Sequence, residues 1–412
     1  VIFDSSFFLG TIVDKCMLIV ILFLINLTSL VILFISLIFF IECFASLFPL
    51  TIKINDSNQW YKTSVSILIP AHNEEIVIEQ TLHTIIPQLK STDELIVIAD
   101  NCSDRTVEIV TRMGIKVIQR QNQELKGKGY ALDFGLNYLR QNPPDIVIFI
   151  DADSIVQPNT IKILTETAIA KNKPIQGLYL MENSPEATPK DKISAFAFKV
   201  KNLVRPLGLH NLKQPCLLTG TGMTFPWHVI QKIDLGSNNI VEDMALGLDL
   251  AIAGYSPYFC LNTVILSILP QKKEVATIQR RRWEHGHLQT ALQYIPRLIK
   301  ESIKQKRLDL LIIASDLFIP PLSLLVSIWL GLSLISVLMI ILNLNYIPFI
   351  ALMIAGVMIF TGILIAWVKF GQEELPLINL LRIPLYILWK IPLYFKFLWK
   401  RENQWIRTER DI

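Results

Sequence analysis

Apolar positions are unevenly spread along this chain. They run almost unbroken from residue 17 to residue 50, resume after Leu310, and between these blocks alternate with charged residues at strand and helix periods. The first run is longer than the roughly 20 residues that cross a bilayer. It is interrupted only by Asn26, Thr28 and Ser29, so one long tilted helix or a tight helical hairpin would satisfy it. A cleaved secretory signal has an apolar part of only about 7–15 residues, so a permanent anchor is expected. Glu42 inside the run would be costly in lipid and is expected to face protein or the headgroup region. Residues 322–344 and 346–368 read as two further spans joined at a turn around Asn343, Asn345 and Pro348. Pro320 and Pro321 break the chain between an interfacial stretch, residues 310–319, and the first of these spans. Residues 376–399 mix aromatic, Leu and Ile residues with Arg382, Lys390 and Lys396, as a helix lying in the interface would. A third C-terminal span is the competing reading.

The middle of the chain follows a different rhythm. Residues 64–69 form a Val/Ile-rich run ended by Pro70, and a helical pattern follows over residues 75–89. Residues 95–99 end at Asp100, a helix starts at Thr106, a third strand covers residues 116–119, and a fourth, residues 146–150, meets Asp151. Such alternation predicts an α/β domain with a mainly parallel sheet covered on both faces, and ligands beyond the carboxyl ends of its strands. The expected organisation is an anchor of one or two helices (1–52), a catalytic domain (60–290), an interfacial segment (291–320), two transmembrane helices (321–370) and an amphipathic helix with a tail (371–412).

Composition sharpens this picture. A hydrophobic content of 52% and a mean hydropathy of +0.44 exceed what a soluble domain needs. The five cysteines are scattered and form no C-x-x-C pair, which speaks against a zinc site and for a reducing compartment. A net charge of +4, dispersed, gives no footprint for nucleic acid. Lys300, Lys304, Lys306 and Arg307 precede the C-terminal spans, and Lys369, Arg382, Lys390, Lys396, Lys400 and Arg401 follow them. The positive-inside rule then predicts a catalytic domain on the cytoplasmic face.

Chemistry concentrates at predicted strand ends. Asp151 and Asp153 follow an apolar strand in Ile150-Asp151-Ala152-Asp153, a pair that suits Mg2+ or Mn2+ holding a nucleotide diphosphate, although such pairs also cap turns. Asp100 ends a second strand and Glu74 follows the first; either would also serve as a cap or a helix N-terminal charge. Lys126-Gly127-Lys128-Gly129 combines flexible backbone with positive charge suited to a diphosphate. Taken in order, Ile69-Pro70-Ala71-His72-Asn73-Glu74, the Asp100 segment, Lys128-Gly129-Tyr130-Ala131-Leu132, Asp151-Ala152-Asp153, Val241-Glu242-Asp243 and Gln279-Arg280-Arg281-Arg282-Trp283 resemble the family 2 glycosyltransferases of GT-A fold. Among these the chain is similar to the membrane cellulose, chitin, hyaluronan and poly-N-acetylglucosamine synthases.

The resemblance implies that Glu74 and Asp100 contact the nucleoside of a nucleotide-sugar donor. Lys128 and Asp151 would serve its diphosphate, Asp151 and Asp153 the metal, and Asp243 would act as general base. Gln279, Arg282 and Trp283 would close over donor or acceptor, with Thr219, Gly220 and Glu242 on the acceptor side. The implied activity is metal-dependent, inverting transfer from a UDP-sugar to a growing polysaccharide at a bacterial inner membrane, with a possible export partner. Single-sugar transfer to a lipid-linked acceptor is the alternative, and a non-catalytic membrane scaffold or transporter subunit the remote one. Val241 stands where the synthases usually carry Thr, and the spans are fewer than the largest exporting synthases use.

Overall fold

A computed structural model describes residues 5–48, 59–183, 187–233, 235, 242–268, 273–380, 382, 383, 386 and 390. Val241 and most of the expected interfacial helix at residues 376–399 lie outside these described residues, as does the tail beyond them. The N-terminal apolar run is a single helix, α1 (Ser5–Ala45), rather than a hairpin.

The central domain follows in chain order. It opens with β1 (Val65–Ala71), α2 (Ile78–Ile85), β2 (Glu94–Asp100), α3 (Thr106–Arg112), β3 (Lys116–Arg120), α4 (Lys128–Leu139) and β4 (Ile146–Phe149). It continues through β5 (Ile155–Val156), α5 (Thr160–Lys171), β6 (Ile175–Glu182), α6 (Pro189–Lys199), α7 (Arg205–Asn211), β7 (Met223–Pro226), α8 (Trp227–Ile230), α9 (Glu242–Ile252) and β8 (Tyr258–Ile268). The remainder is helical: α10 (Lys273–Gln305), α11 (Leu308–Phe318), α12 (Leu322–Ile341) and α13 (Ile347–Phe370).

The strands form one sheet in the order β3-β2-β1-β4-β7-β6-β8-β5. The four strands read from the sequence pair in parallel, as expected. Antiparallel pairings enter beyond them, at β4–β7, β6–β7 and β5–β8, and β6 pairs in parallel with β8 across a bulge at Gly177/Leu178. The sheet is therefore mixed. Its inner strands carry apolar residues on both faces, because both faces are covered. Ile67, Ile69, Val97 and Ile148 pack with Ile78, Leu82 and Ile85 of α2 and Leu164 of α5. Leu68, Ile96, Ile98 and Phe149 face the other way, onto Leu132 and Leu136 of α4 and Leu250 of α9.

Three helices among the described residues are long and apolar enough to cross a membrane: Cys16–Ala45, Leu322–Ile341 and Ile347–Phe370. They are packed against the central domain. Ile32, Ile35 and Phe39 of α1 join Leu352, Ala355 and Ile359 of α13 and Ile193, Phe196, Val200 and Val204 of the α6–α7 region in one cluster. Glycine permits the closest approach: a Cβ on Gly208 of α7 would lie 1.9 Å from the Glu42 carbonyl oxygen. At that contact Arg205 Nε donates to Glu42 Oε2 at 2.8 Å, and its Nη2 donates to the backbone oxygen of Asp316 in α11 at 2.8 Å and to the Asp316 carboxylate. Glu42 thus faces protein, not lipid. The Pro320-Pro321 break falls between α11 and α12, whereas α10 runs unbroken across residue 290.

Candidate active site

β1, β2 and β4 end at one edge of the sheet, and each end delivers an acid. Asn73 and Asn101 follow β1 and β2 with φ of 56° and 53°. Asparagine tolerates this left-handed conformation better than most residues, so the chain can turn sharply there. The two turns are tied together: Asn73 Oδ1 accepts from Ser103 N at 2.7 Å, and Glu74 N donates to Thr106 Oγ1 at 2.8 Å. Asp100 is buried and accepts from Arg120 Nη1 at 2.6 Å, while Arg120 Nη2 donates to the Leu125 carbonyl at 2.7 Å. The β3 arginine therefore fixes the Asp100 carboxylate and anchors the loop leading to Lys128.

The centre of the site forms around Gly220, whose φ of +102° favours glycine. A Cβ placed there would lie 3.1 Å from Asp243 Oδ2, 3.8 Å from Lys128 Nζ and 3.9 Å from Asp151 Oδ2. Residues from four distant parts of the sequence thus converge within a few ångströms. Lys128 Nζ donates to the Gly220 carbonyl at 2.6 Å and is ion-paired with Asp151. The loop is held from below. Gln176 of β6 donates to the Thr221 carbonyl at 2.9 Å and accepts from Thr219 N at 2.8 Å, and Thr221 Oγ1 accepts from Asp151 N at 3.1 Å. Glu242 and Asp243 open α9, where the helix dipole favours negative charge. Their place at the helix start coexists with a place in the site: Met244 N donates to Asp243 Oδ1 at 2.8 Å.

The charges are strongly coupled. Burial pulls the Lys128 ammonium down, but Asp151, Glu242 and Asp243 outweigh it and hold its pKa above the ordinary lysine value. Burial pushes Asp151 up against the opposing pull of Lys128, with Asp153 and Asp243 adding to the rise. Burial also drives Glu242 up to about 7, against Lys128 and with Asp243. Among the described residues no group of three or more His, Cys, Asp or Glu side chains is placed to hold an ion. The crowded pair Asp151 and Asp153 fits a cation that takes one or two carboxylates and completes its shell with water and phosphate, the habit of Mg2+ and Mn2+.

One cavity of about 350 Å³ contains every site residue read from the sequence: Glu74, Asp100, Lys128, Asp151, Asp153, Thr219, Gly220, Glu242, Asp243, Gln279, Arg282 and Trp283. α10 supplies the last three to the cavity wall. Trp283 packs on Phe198 with ring centroids 5.7 Å apart, and Phe198 meets Tyr179 edge-on at 5.2 Å. Arg280 is turned to Asp191 at 2.8 Å, and Glu284 is ion-paired with Lys390.

The cavity also has walls that sequence reasoning missed: Lys201, Asn202 and Arg205 from the α6–α7 region, Phe39 of α1, and Pro320, Pro321, Leu322 and Ser323 before and within α12. The available signal was a set of basic residues, Lys199, Lys201 and Arg205, in the otherwise apolar stretch at residues 193–209. His287 lines the cavity too; its Nε2 lies 3.1 Å from the Ile319 carbonyl, and burial lowers its pKa to about 3.

Residues 63–286 match the family model described as glycosyltransferase like family 2. The probable glycosyltransferase YdaM of Bacillus subtilis is 27% identical over 257 residues, 59% of this chain and 59% of that protein. The poly-beta-1,6-N-acetyl-D-glucosamine synthase of Staphylococcus aureus is 26% identical over 259 residues, 60% of each chain. The chain thus spans about 60% of the length of these curated relatives. The mannosyltransferase PcManGT of Pyrobaculum calidifontis, solved with GDP-Man and Mn2+, superposes with a TM-score of 0.56 at 16% identity, over 92% of this chain and 99% of that one. That likeness identifies the fold as GT-A.

Proposed function

The chain belongs to glycosyltransferase like family 2, and we propose that it is a membrane-bound, inverting glycosyltransferase that moves a sugar from a UDP-sugar onto a growing polysaccharide. The observation that carries the reading is the convergence of Asp243, Lys128 and Asp151 on Gly220, in one cavity with Glu74 and Asp100. The polysaccharide acceptor is supported by the poly-beta-1,6-N-acetyl-D-glucosamine synthase likeness. The basic flanks of α12 and α13 support a bacterial inner-membrane location with the catalytic domain, residues 60–290, on the cytoplasmic side, where an export partner would take a secreted product.

In this reading Glu74 and Asp100 hold the nucleoside, and Asp100 is oriented by Arg120. Asp151 and Asp153 would hold Mg2+ or Mn2+, which when bound supplies positive charge to the donor diphosphate. Lys128 neutralises Asp151 before the donor enters and adds its charge to the departing diphosphate afterwards. Asp243 takes the proton from the attacking acceptor hydroxyl. Gln279, Arg282 and Trp283 cover the reacting groups, and Thr219, Gly220 and Glu242 border the acceptor. A single displacement at the anomeric carbon inverts its configuration.

Asp243→Asn tests the assignment. Transfer should fall by about 10²- to 10⁴-fold, with donor binding retained; normal transfer by the purified variant would exclude Asp243 as the base. A second reading, addition of one sugar to a lipid-linked acceptor, is favoured by the extension of the cavity to Phe39 and to residues 320–323 at the membrane helices. Product length separates the two, since polymer made by the purified chain alone excludes single addition.

A further inference from the structure

The membrane end of the cavity holds two polar side chains that the transfer chemistry leaves unused. Lys201 and Asn202 lie in the π-helical segment Val200–Val204 that joins α6 to α7. A π turn redirects side chains from their α-helical directions and recurs at functional positions. Both residues line the cavity, and so do Phe39 of α1 and Ser323 of α12. Asn202 is only 4% exposed, yet its Oδ1 has no hydrogen-bond partner among the described residues. A buried acceptor left without its hydrogen bond is destabilising, so its retention points to a ligand.

Lys201 is the cation left over at this end. Arg205 is committed to Glu42 and Asp316, Lys128 to Asp151, and Arg280 to Asp191. Lys201 forms no hydrogen bond or ion pair among the described residues. Burial draws its pKa below the ordinary lysine value, Asp243, Asp316 and Glu284 oppose that shift, and Arg205 adds to it. A half-buried ammonium with no ion-pair partner is unfavourable unless a ligand brings an anion to it. The lining around it is apolar on the membrane side, at Phe39, Pro320, Pro321 and Leu322. A ligand that satisfies both features joins an anionic group to hydrocarbon.

We propose that Lys201 and Asn202 form the acceptor subsite for a phospholipid-type molecule, with its phosphate on Lys201 and a headgroup hydroxyl on Asn202 Oδ1. The proposal rests on the lipid-acceptor reading above and gives that acceptor its chemistry. A second headgroup hydroxyl then reaches Asp243. Its oxygen bonds to the anomeric carbon, the bond from that carbon to the diphosphate breaks, the nucleoside diphosphate leaves with the electron pair, and the proton passes to the Asp243 carboxylate.

Native mass spectrometry of the full-length chain in detergent, offered phosphatidylglycerol and phosphatidylcholine in equal amounts, tests the subsite. The wild type should retain phosphatidylglycerol preferentially, Lys201→Arg should keep the preference, and Lys201→Met should reduce it by about tenfold or more, as expected for loss of a charged hydrogen bond. Equal retention of both lipids by the wild type, or an undiminished preference in Lys201→Met, overturns the proposal. Should Lys201→Met not elute as folded protein, Asn202→Leu decides by the same criterion. A parallel arm offers glycerol 3-phosphate and inorganic phosphate; if either displaces the lipid in a Lys201-dependent way, the ligand is a soluble phosphate and the lipid assignment falls. The readout is binding, so it can fail while sugar transfer stands, and succeed while transfer fails.

Discussion

The two ends of the cavity are built in different ways. The acid-rich end rests on strand ends: Glu74, Asp100, Asp151 and Asp153 each follow an apolar run by a few residues, and their positions are set by sheet register and two asparagine turns. The membrane end is made where helices meet. Arg205 is placed by contacts to α1 and α11, more than a hundred residues away in sequence, and Lys201 and Asn202 precede it in the π segment. In the first, a part-exposed acid such as Asp153 can be changed with little effect on folding. In the second, site and scaffold are the same residues, so a change there disturbs both.

That contrast can be broken by substitution, most strongly at Arg205. Its side chain is buried between Glu42 and Asp316, and Arg205→Leu leaves both carboxylates buried without their cation. The expected cost is about 3–5 kcal/mol, the usual penalty for removing one partner of a buried pair. It should appear as a lowered unfolding midpoint together with lost transfer, whereas Asp153→Asn should lose transfer at an unchanged midpoint. An unchanged midpoint in Arg205→Leu would mean that α1 is not locked to the catalytic domain through this contact.

Gly208→Ala probes the same seam without touching charge. The new Cβ would overlap the Glu42 carbonyl oxygen, so α7 must move away from α1, at about 1–3 kcal/mol for overpacking. The shift should also weaken phosphatidylglycerol retention, because α7 continues from the π segment that carries Lys201.

The smallest effect is expected at Glu242, where burial raises the carboxyl from 4.5 to about 7. A raised pKa means that the fold favours the protonated form. The associated stability is complete below 4.5 and is lost as pH rises through about 7. Glu242→Gln mimics the protonated form, so its unfolding midpoint should vary less than that of the wild type between about pH 4.5 and 7. Identical pH profiles would remove Glu242 as the titrating group.

The same contrast explains what could be read from the sequence. The first four strands were legible because Val/Ile-rich runs bounded by polar residues or proline carry their own boundaries, and the three long helices because length and apolarity suffice. β6, β7 and β8 were not read, since antiparallel and bulged pairings depend on partners far along the chain. Asp243 stands in the first turn of a helix, where acidic side chains are common, and only its order among the other motifs singled it out. Lys201 and Asn202 could not be assigned, because burial among helices from opposite ends of the chain gives their charge and amide a meaning that no local pattern carries.

The most direct test of sugar transfer at this cavity is nucleoside diphosphate release by the purified full-length chain from a panel of nucleotide sugars, measured with Mn2+ and with EDTA, for wild type and Asp153→Asn. The account predicts release from at least one UDP-sugar by the wild type with Mn2+, abolished by EDTA and by Asp153→Asn. Release that persists in EDTA and in Asp153→Asn, or no release from any donor, would contradict it.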